Sequence, residues 1–257
     1  KVTVFNIESG ILKREEPIVQ ELANEYLTEQ GITILNDVTL NSVSNDGNKP
    51  VITADGQNYT FDAVLYATGR RPNTTNIGLE NTDITTNERG AIVVNDTCES
   101  SVPGVYAVGD VNGGPQFTYI SLDDFRIVFG ALTGNGHYTL KDRKNIPYTT
   151  FLTPPLARVG LTEEDAINKG YTVKTKEMLV ATMPRAHVND NLKGAFKIVV
   201  DAESNLILGA TLYSQSAEEL INMIKVAMDN NIPYTYFKNQ IFTHPTMAEN
   251  LNDLCNF

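Results

Sequence analysis

Apolar positions along the chain follow two periods, and the switches between them mark the elements. Val2–Phe5 ("VTVF") is β-rich, and "IVQELANEYLTEQG" then carries apolar residues at helical spacing, with Pro17 in the first turn and Gly31 as the stop. Ile32–Leu35 reads as the next strand and "VTLNSVSN" as another. "VITADGQNYTFDAVLYATG" reads as a hairpin about Asp55 and Gly56 that feeds a buried strand. "GAIVVND" and "GVYAVGD" are two short strand signals separated by Pro103 and Gly104, and "QFTYISLDDF" reads as a helix start. From about Ile146 the character changes. "PYTTFLTPPLARVGLTEEDAINKG" predicts a strand, a Pro turn and a short helix capped by Thr162, and "GAFKIVVDAESNLILGATLYS" alternates apolar and polar residues as a hairpin does. "SAEELINMIKVAMDNN" predicts an amphipathic helix with Leu220, Ile221, Ile224, Ala227 and Met228 on one side. Strands followed by helices point to an α+β domain after an α/β start.

With 257 residues, 41% of them hydrophobic, the chain is long enough for one large domain or two ordinary ones. A formal net charge of −11 disfavours nucleic acid or an anionic membrane as partner, since both need a basic face, and leaves small molecules or other proteins. No apolar run reaches the length of a membrane span, and the start has no signal-region pattern. Cysteine occurs only as Cys98 and Cys255, which make no disulfide framework and fit a reducing cytoplasm. The chain opens on a strand without an initiator Met, so the expectation is the downstream part of something longer.

Several short stretches carry chemistry. In "YAVGD" an apolar strand delivers Gly109, which permits close backbone approach, and Asp110, whose carboxylate can accept from sugar-like hydroxyls; ordinary turn chemistry explains the same pair. The free N–H groups at the start of "QFTYISLDDF" suit an electron-rich atom, with core packing of Phe117 and Tyr119 as the alternative. Near the end, "FTHPTMAENL" holds His244 and, five residues later, Glu249. Thr246 to Glu249 matches a capping box, in which Glu249 bonds back to the backbone rather than to His244. Cys98 has no nearby His or second Cys, His137 and His187 stand in separate loops, and no metal site is expected.

In order and spacing, "LYATGRRPN", "VYAVGDV" and "HPTMAE" resemble three motifs of the class I pyridine nucleotide-disulfide oxidoreductases, the family of glutathione reductase, dihydrolipoamide dehydrogenase and mercuric reductase. "GGPQFTYISLDDFRIV", "DRKNIPYTTFLTPPLARVGLTEEDA" and "QIFTHPTMAENLNDL" resemble its reactive chlorine resistance, mercuric-reductase-like branch, implicated in copper(II) reduction and oxidative stress defence. The resemblance implies α/β Rossmann-like partial nicotinamide and FAD subdomains, residues 1–70 and 71–144, followed by an α+β dimerisation domain, residues 145–257. It implies a cytoplasmic homodimer that uses FAD and NAD(P)H and passes electrons through a cysteine pair absent from this chain to a small-molecule or metal-ion acceptor. A non-catalytic dimerisation fragment of such an enzyme is the alternative.

The resemblance also assigns residues. Asp110, beside Gly109, would meet the ribityl chain of FAD, and Gln116, Phe117, Thr118 and Tyr119 would lie against its pyrimidine. Gly69 would lie beside the nicotinamide nucleotide and Val38 near its adenine, although a Val there also suits plain core. Asn6 stands where NADH-using relatives carry a Glu, with no Arg pair for a 2′-phosphate nearby, so NADH and NADPH both stay open. His244 would be the acid-base of the dithiol pair, with Glu249 orienting its imidazole, a group whose reference pKa of about 6.5 suits proton transfer near neutral pH. Cys255 stands alone where mercuric reductases end in a cysteine pair, so helix-terminal packing is its expected role.

Overall fold

The first apolar stretch forms strand β1 (Val2–Phe5), helix α1 (Pro17–Glu29) and strand β2 (Ile32–Leu35), with β1 and β2 parallel from Val2 opposite Ile32 to Phe5 opposite Leu35. This is a single βαβ unit, and Pro17 opens its helix as expected. A three-stranded antiparallel sheet follows: β3 (Leu40–Asn45), β4 (Pro50–Ala54) and β5 (Gln57–Thr60). The β4–β5 turn places Asp55 at φ 51° and Gly56 at φ 75°, the pair of left-handed conformations that a two-residue hairpin of type I′ needs and that Asp-Gly supplies. Strand β3 starts at Leu40, later than the expected "VTLNSVSN", because Asp37 takes φ 56° and the Asp55 carboxylate accepts the Thr39 N–H at 2.9 Å.

The computed structural model describes all residues from Lys1 to Phe257 and divides into two compact units, Lys1–Val64 with Asn145–Phe257, and Leu65–Lys144. Two strand expectations fail. Residues 62–69 form no strand, and Leu65 and Tyr66 are 89% and 66% exposed, because no neighbouring strand in the chain offers them a ladder. "GAIVVND" and "GVYAVGD" are reduced to isolated bridges, Thr86 with Ile92, Val94 with Ser100 and Glu99 with Tyr106.

The unit of residues 65–144 is built around helix α2 (Thr118–Thr133). Its burial runs against hydropathy: Asp124 is fully buried together with Ile120 and Ile127, whereas Leu122, Phe125, Phe129 and Leu132 are exposed.

Residues 145–257 form the α+β portion. Strands β6 (Tyr148–Thr150), β7 (Leu156–Gly160), β8 (Val173–Leu179), β9 (Ala195–Asp201) and β10 (Ile207–Tyr213) pair antiparallel in the order β6-β7-β10-β9-β8. Helices α3 (Glu163–Asn168), α4 (Pro184–Val188), α5 (Ala217–Asp229), α6 (Tyr234–Asn239) and α7 (Asn250–Leu254) complete it. Thr162 caps α3 in a full capping box, and the five residues expected on the apolar side of α5 are all buried. Phe196, Ile198 and Val200 of β9 join Leu220, Ile221, Ile224, Leu251 and Leu254 in the main core.

The β9–β10 hairpin forms, but it lacks the solvent face its alternation suggests, since Ala195 to Val200 are all buried. The reason lies in α1: Val19, Ala23 and Tyr26 pack against Leu156 and Tyr213, and the Tyr26 hydroxyl accepts the Gly194 N–H at 2.9 Å. With the sheet covered on this side, Lys197 is buried and must find anions. It bonds Glu163 Oε2 at 2.7 Å, Glu177 Oε1 at 2.9 Å and Glu16 Oε2 at 3.0 Å. Next to it, Glu15 accepts from the Tyr148 hydroxyl at 2.5 Å and pairs with Arg158 at 3.3 Å.

Candidate functional site

The expected site residues fall in both units. In residues 65–144, Val108 is extended and Gly109–Asn112 then form a single 3-10 turn. Gly109 sits at φ 72°, and a Cβ there would lie 2.5 Å from Ser121 Oγ, so glycine is required. Its N–H donates to Asp124 Oδ2 at 2.7 Å, and Asn112 Nδ2 donates to the same oxygen at 2.9 Å. The other Asp124 oxygen accepts from the Arg143 guanidinium, whose Nε also donates to Asp123 at 2.7 Å. Burial opposes the charge of Arg143, but its bonds to Asp124 and Asp123 prevail and its pKa is raised. Between these anchored residues Asp110 is exposed.

Gln116 to Tyr119 lead into α2, whose N-terminus carries no side-chain cap. The Phe117 and Tyr119 rings stack at 5.1 Å with 9° between planes, and Tyr119 is 43% exposed rather than core. Arg70 donates to the Gln116 carbonyl at 3.1 Å, which brings the residue after Gly69 to this helix start. Gly69 has φ 113°, and a Cβ there would meet nothing within 4 Å.

In the other unit, the Asn6 side chain is consumed locally: its amide donates to Glu8 O at 3.1 Å, Gly10 O at 3.0 Å and Asn36 Oδ1 at 2.9 Å. Val38 donates its N–H to Asn6 O at 3.1 Å, and its side chain is buried with Ile52 and Ala54. His244 Nδ1 lies 2.8 Å from Glu249 Oε2, while Glu249 Oε1 accepts the Thr246 N–H at 3.2 Å and the Glu249 N–H donates to Thr246 Oγ1 at 3.2 Å. The carboxylate therefore serves both the capping box and the imidazole, where the sequence pattern set them against each other. Helix α7 itself begins later, at Asn250. A carboxylate oxygen accepts, so in this contact Nδ1 is the donor and Nε2 is the ring nitrogen not engaged by Glu249, on a side chain 69% exposed.

Sequence reasoning missed Asp124, Asn112, Arg143, Arg70, Glu16 and Lys197. The only signal was the Asp123–Asp124 pair within an otherwise apolar helical stretch. No group of three or more His, Cys, Asp or Glu is arranged to hold a metal, and no helix is long and apolar enough to cross a membrane. Both cysteines are buried. Burial, with help from Asp124, pushes the Cys98 thiol up to about 11, and burial pushes Cys255 up to about 12. A native sample at about pH 8 should thus show neither thiol to Ellman's reagent, whereas both should react after denaturation; prompt native reaction of either would contradict the burial.

Residues 1–124 match the family described as pyridine nucleotide-disulphide oxidoreductase, and residues 146–255 match its dimerisation domain. RclA of Escherichia coli strain K12 is 42% identical over 254 residues, covering 99% of this chain and 58% of its own length. A Staphylococcus aureus mercuric reductase is 34% identical over 255 residues, covering 98% of this chain and 46% of its own. The solved E. coli RclA, described as an HOCl-induced flavoprotein disulfide reductase, superposes with a TM-score of 0.95 at 41% identity, over 99% of this chain and 59% of that one. The chain thus spans about half the length of these relatives. Two family matches in register, and the superposition over nearly every residue, establish that the chain belongs to the pyridine nucleotide-disulfide oxidoreductase family, with α/β subdomains and a dimerisation domain.

Proposed function

We propose that the protein is a homodimeric, FAD-dependent oxidoreductase that passes electrons from NAD(P)H through flavin and a cysteine pair to a disulfide, an oxidant or a metal ion such as copper(II) or mercury(II), in oxidative stress defence. The observation that carries this is the His244–Glu249 pair at 2.8 Å, on an exposed ring with Nε2 open. Neither buried cysteine of the chain is the redox pair. The copper(II) complex described for E. coli RclA supports a metal-ion acceptor.

The residues of the Gly109 turn fit a flavin: an exposed carboxylate at Asp110, a backbone anchor before it at Gly109 and a side-chain anchor after it at Asn112, and an uncapped α2 start carrying two stacked aromatic rings. FAD, when bound, supplies a centre that accepts a hydride from nicotinamide and delivers two electrons. Asp110 accepts from hydroxyls, and the α2 start stabilises negative charge in front of it. His244 takes or gives a proton at Nε2, and Glu249 holds the ring by Nδ1 and stabilises the imidazolium. Gly69 leaves room for close approach of a nucleotide.

An anaerobic titration with NADH of the protein made from its complete native gene, followed by visible absorption, tests this reading. Flavin bands, joined on reduction by a long-wavelength thiolate-to-flavin charge-transfer band, are the expected result. Absence of flavin would sink it. The dimerisation-domain match of residues 146–255 favours a second reading, a non-catalytic dimerisation module, for which the same sample would be a colourless dimer.

A further inference from the structure

Asp124 is an expensive residue to bury in the middle of a helix, and its environment shows what it holds. Its carboxylate has no exposure, yet it faces donors from three places: the Gly109 backbone, the Asn112 amide and the Arg143 guanidinium. Two of these bracket Asp110 on the 3-10 turn, one immediately before it and one two residues after. Arg143 supplies the opposite charge that a buried carboxylate needs, and Asp123 shares that guanidinium without touching the turn.

We propose that Asp124 is a positioning residue for the flavin site: from inside α2 it clamps the Gly109–Asn112 turn, so that Asp110 presents its carboxylate in one orientation. The inference rests on the flavin reading above and deepens it. Backbone bonds alone hold the turn at two points, Ile92 N–H to the Val111 carbonyl at 2.9 Å and Gly113 N–H to the Asp110 carbonyl at 3.2 Å, and Gly109 adopts a conformation open mainly to glycine. Asp124 adds anchors on either side of Asp110. Charge-assisted hydrogen bonds to a buried carboxylate are both stronger and more costly to lose than neutral ones.

The change Asp124→Asn keeps the shape but leaves one acceptor oxygen where two were used. Either Arg143 or the pair Gly109 and Asn112 must then face an N–H₂ group. The test uses the protein expressed from its gene, stripped of flavin and titrated with FAD, with the absorption spectrum of the bound flavin as second readout. Asp124→Asn should weaken FAD binding by about 10-fold or more and shift the spectrum. Asp123→Asn, which keeps an acceptor oxygen for the Arg143 Nε and leaves the bonds from Gly109 and Asn112 untouched, should leave both within about twofold. Equal weakening in the two variants would reduce Asp124 to a structural ion pair, and unchanged affinity in Asp124→Asn would overturn the proposal outright. Should Asp124→Asn fail to fold, Asn112→Ala removes one of the clamped donors; a roughly threefold loss with a spectral shift is expected, and no change would overturn the clamp. Wild-type protein that binds no FAD would sink the flavin reading and the clamp together, an outcome distinct from wild-type and variants all binding equally.

Discussion

Turnover with NADH and an electron acceptor should fall by about 10²- to 10⁴-fold in His244→Gln, while flavin content and melting temperature stay close to those of the wild type. The size follows from the role, since the proposed acid-base exchanges its proton at Nε2 and glutamine offers no titrating nitrogen there. The silence in stability follows from the geometry. The His244 side chain is 69% exposed and bonds through Nδ1 to Glu249, which keeps its capping-box bonds to Thr246 when the ring is gone. Surface substitutions of this kind are usually worth less than about 0.5 kcal/mol. Glu249→Gln should lose less activity, because an amide oxygen can still orient the ring but does not balance an imidazolium. Paired stability and steady-state measurements decide it: a loss of activity under tenfold, or one that tracks a fall in melting temperature, would remove His244 from the proton path.

Lys197→Met should lower the unfolding free energy by about 3 kcal/mol, near the low end of the range for stranding a buried ion. Three carboxylates surround one ammonium. Glu163 and Glu177 are partly exposed and can fall back on water, so their pairing contributes little, whereas Glu16 is buried and keeps no cation, only the Glu163 N–H at 2.8 Å. Adding Glu16→Gln to Lys197→Met should therefore restore part of the loss; a double variant no more stable than the single one would contradict this. Burial pulls the Lys197 pKa down, but the bonds from Glu163, Glu177 and Glu16 outweigh it and the net value is raised above the 10.5 of a free lysine. A folded pKa above the unfolded one means the contribution is complete below that unfolded value and is lost as pH rises through the folded one. Denaturant titrations should accordingly show a wild-type advantage that is flat around neutrality and shrinks only in strong alkali.

Much of the local structure was legible because its causes lie a few residues apart. The Asp55 and Gly56 turn, the Thr162 cap and the apolar side of α5 each follow from periodicity or turn chemistry within one element, and each formed as expected. The motif residues of the candidate site were legible too, in the narrower sense that their types and spacing carried the family resemblance. What failed shares one cause. Residues 62–69 have the composition of a buried strand, but a strand exists only beside a partner, and Leu65 stays exposed without one.

Ion burial lay further out of reach. Lys197 looked like the polar half of an alternating hairpin until α1 covered that side of the sheet; Tyr26 meets Gly194 across 168 residues and Tyr148 meets Glu15 across 133. No sequence reading singled out Asp124, whose buried carboxylate is met by Arg143, 19 residues on. By itself the sequence determined the main helices, the Asp55–Gly56 turn, the Thr162 cap and which residue types stand ready for proton transfer, since these depend on side-chain period and backbone preference. Tertiary structure alone decided which charges are buried, which carboxylate answers them and how one Glu249 serves both cap and imidazole, because the cost of desolvating an ion is settled by every group packed around it.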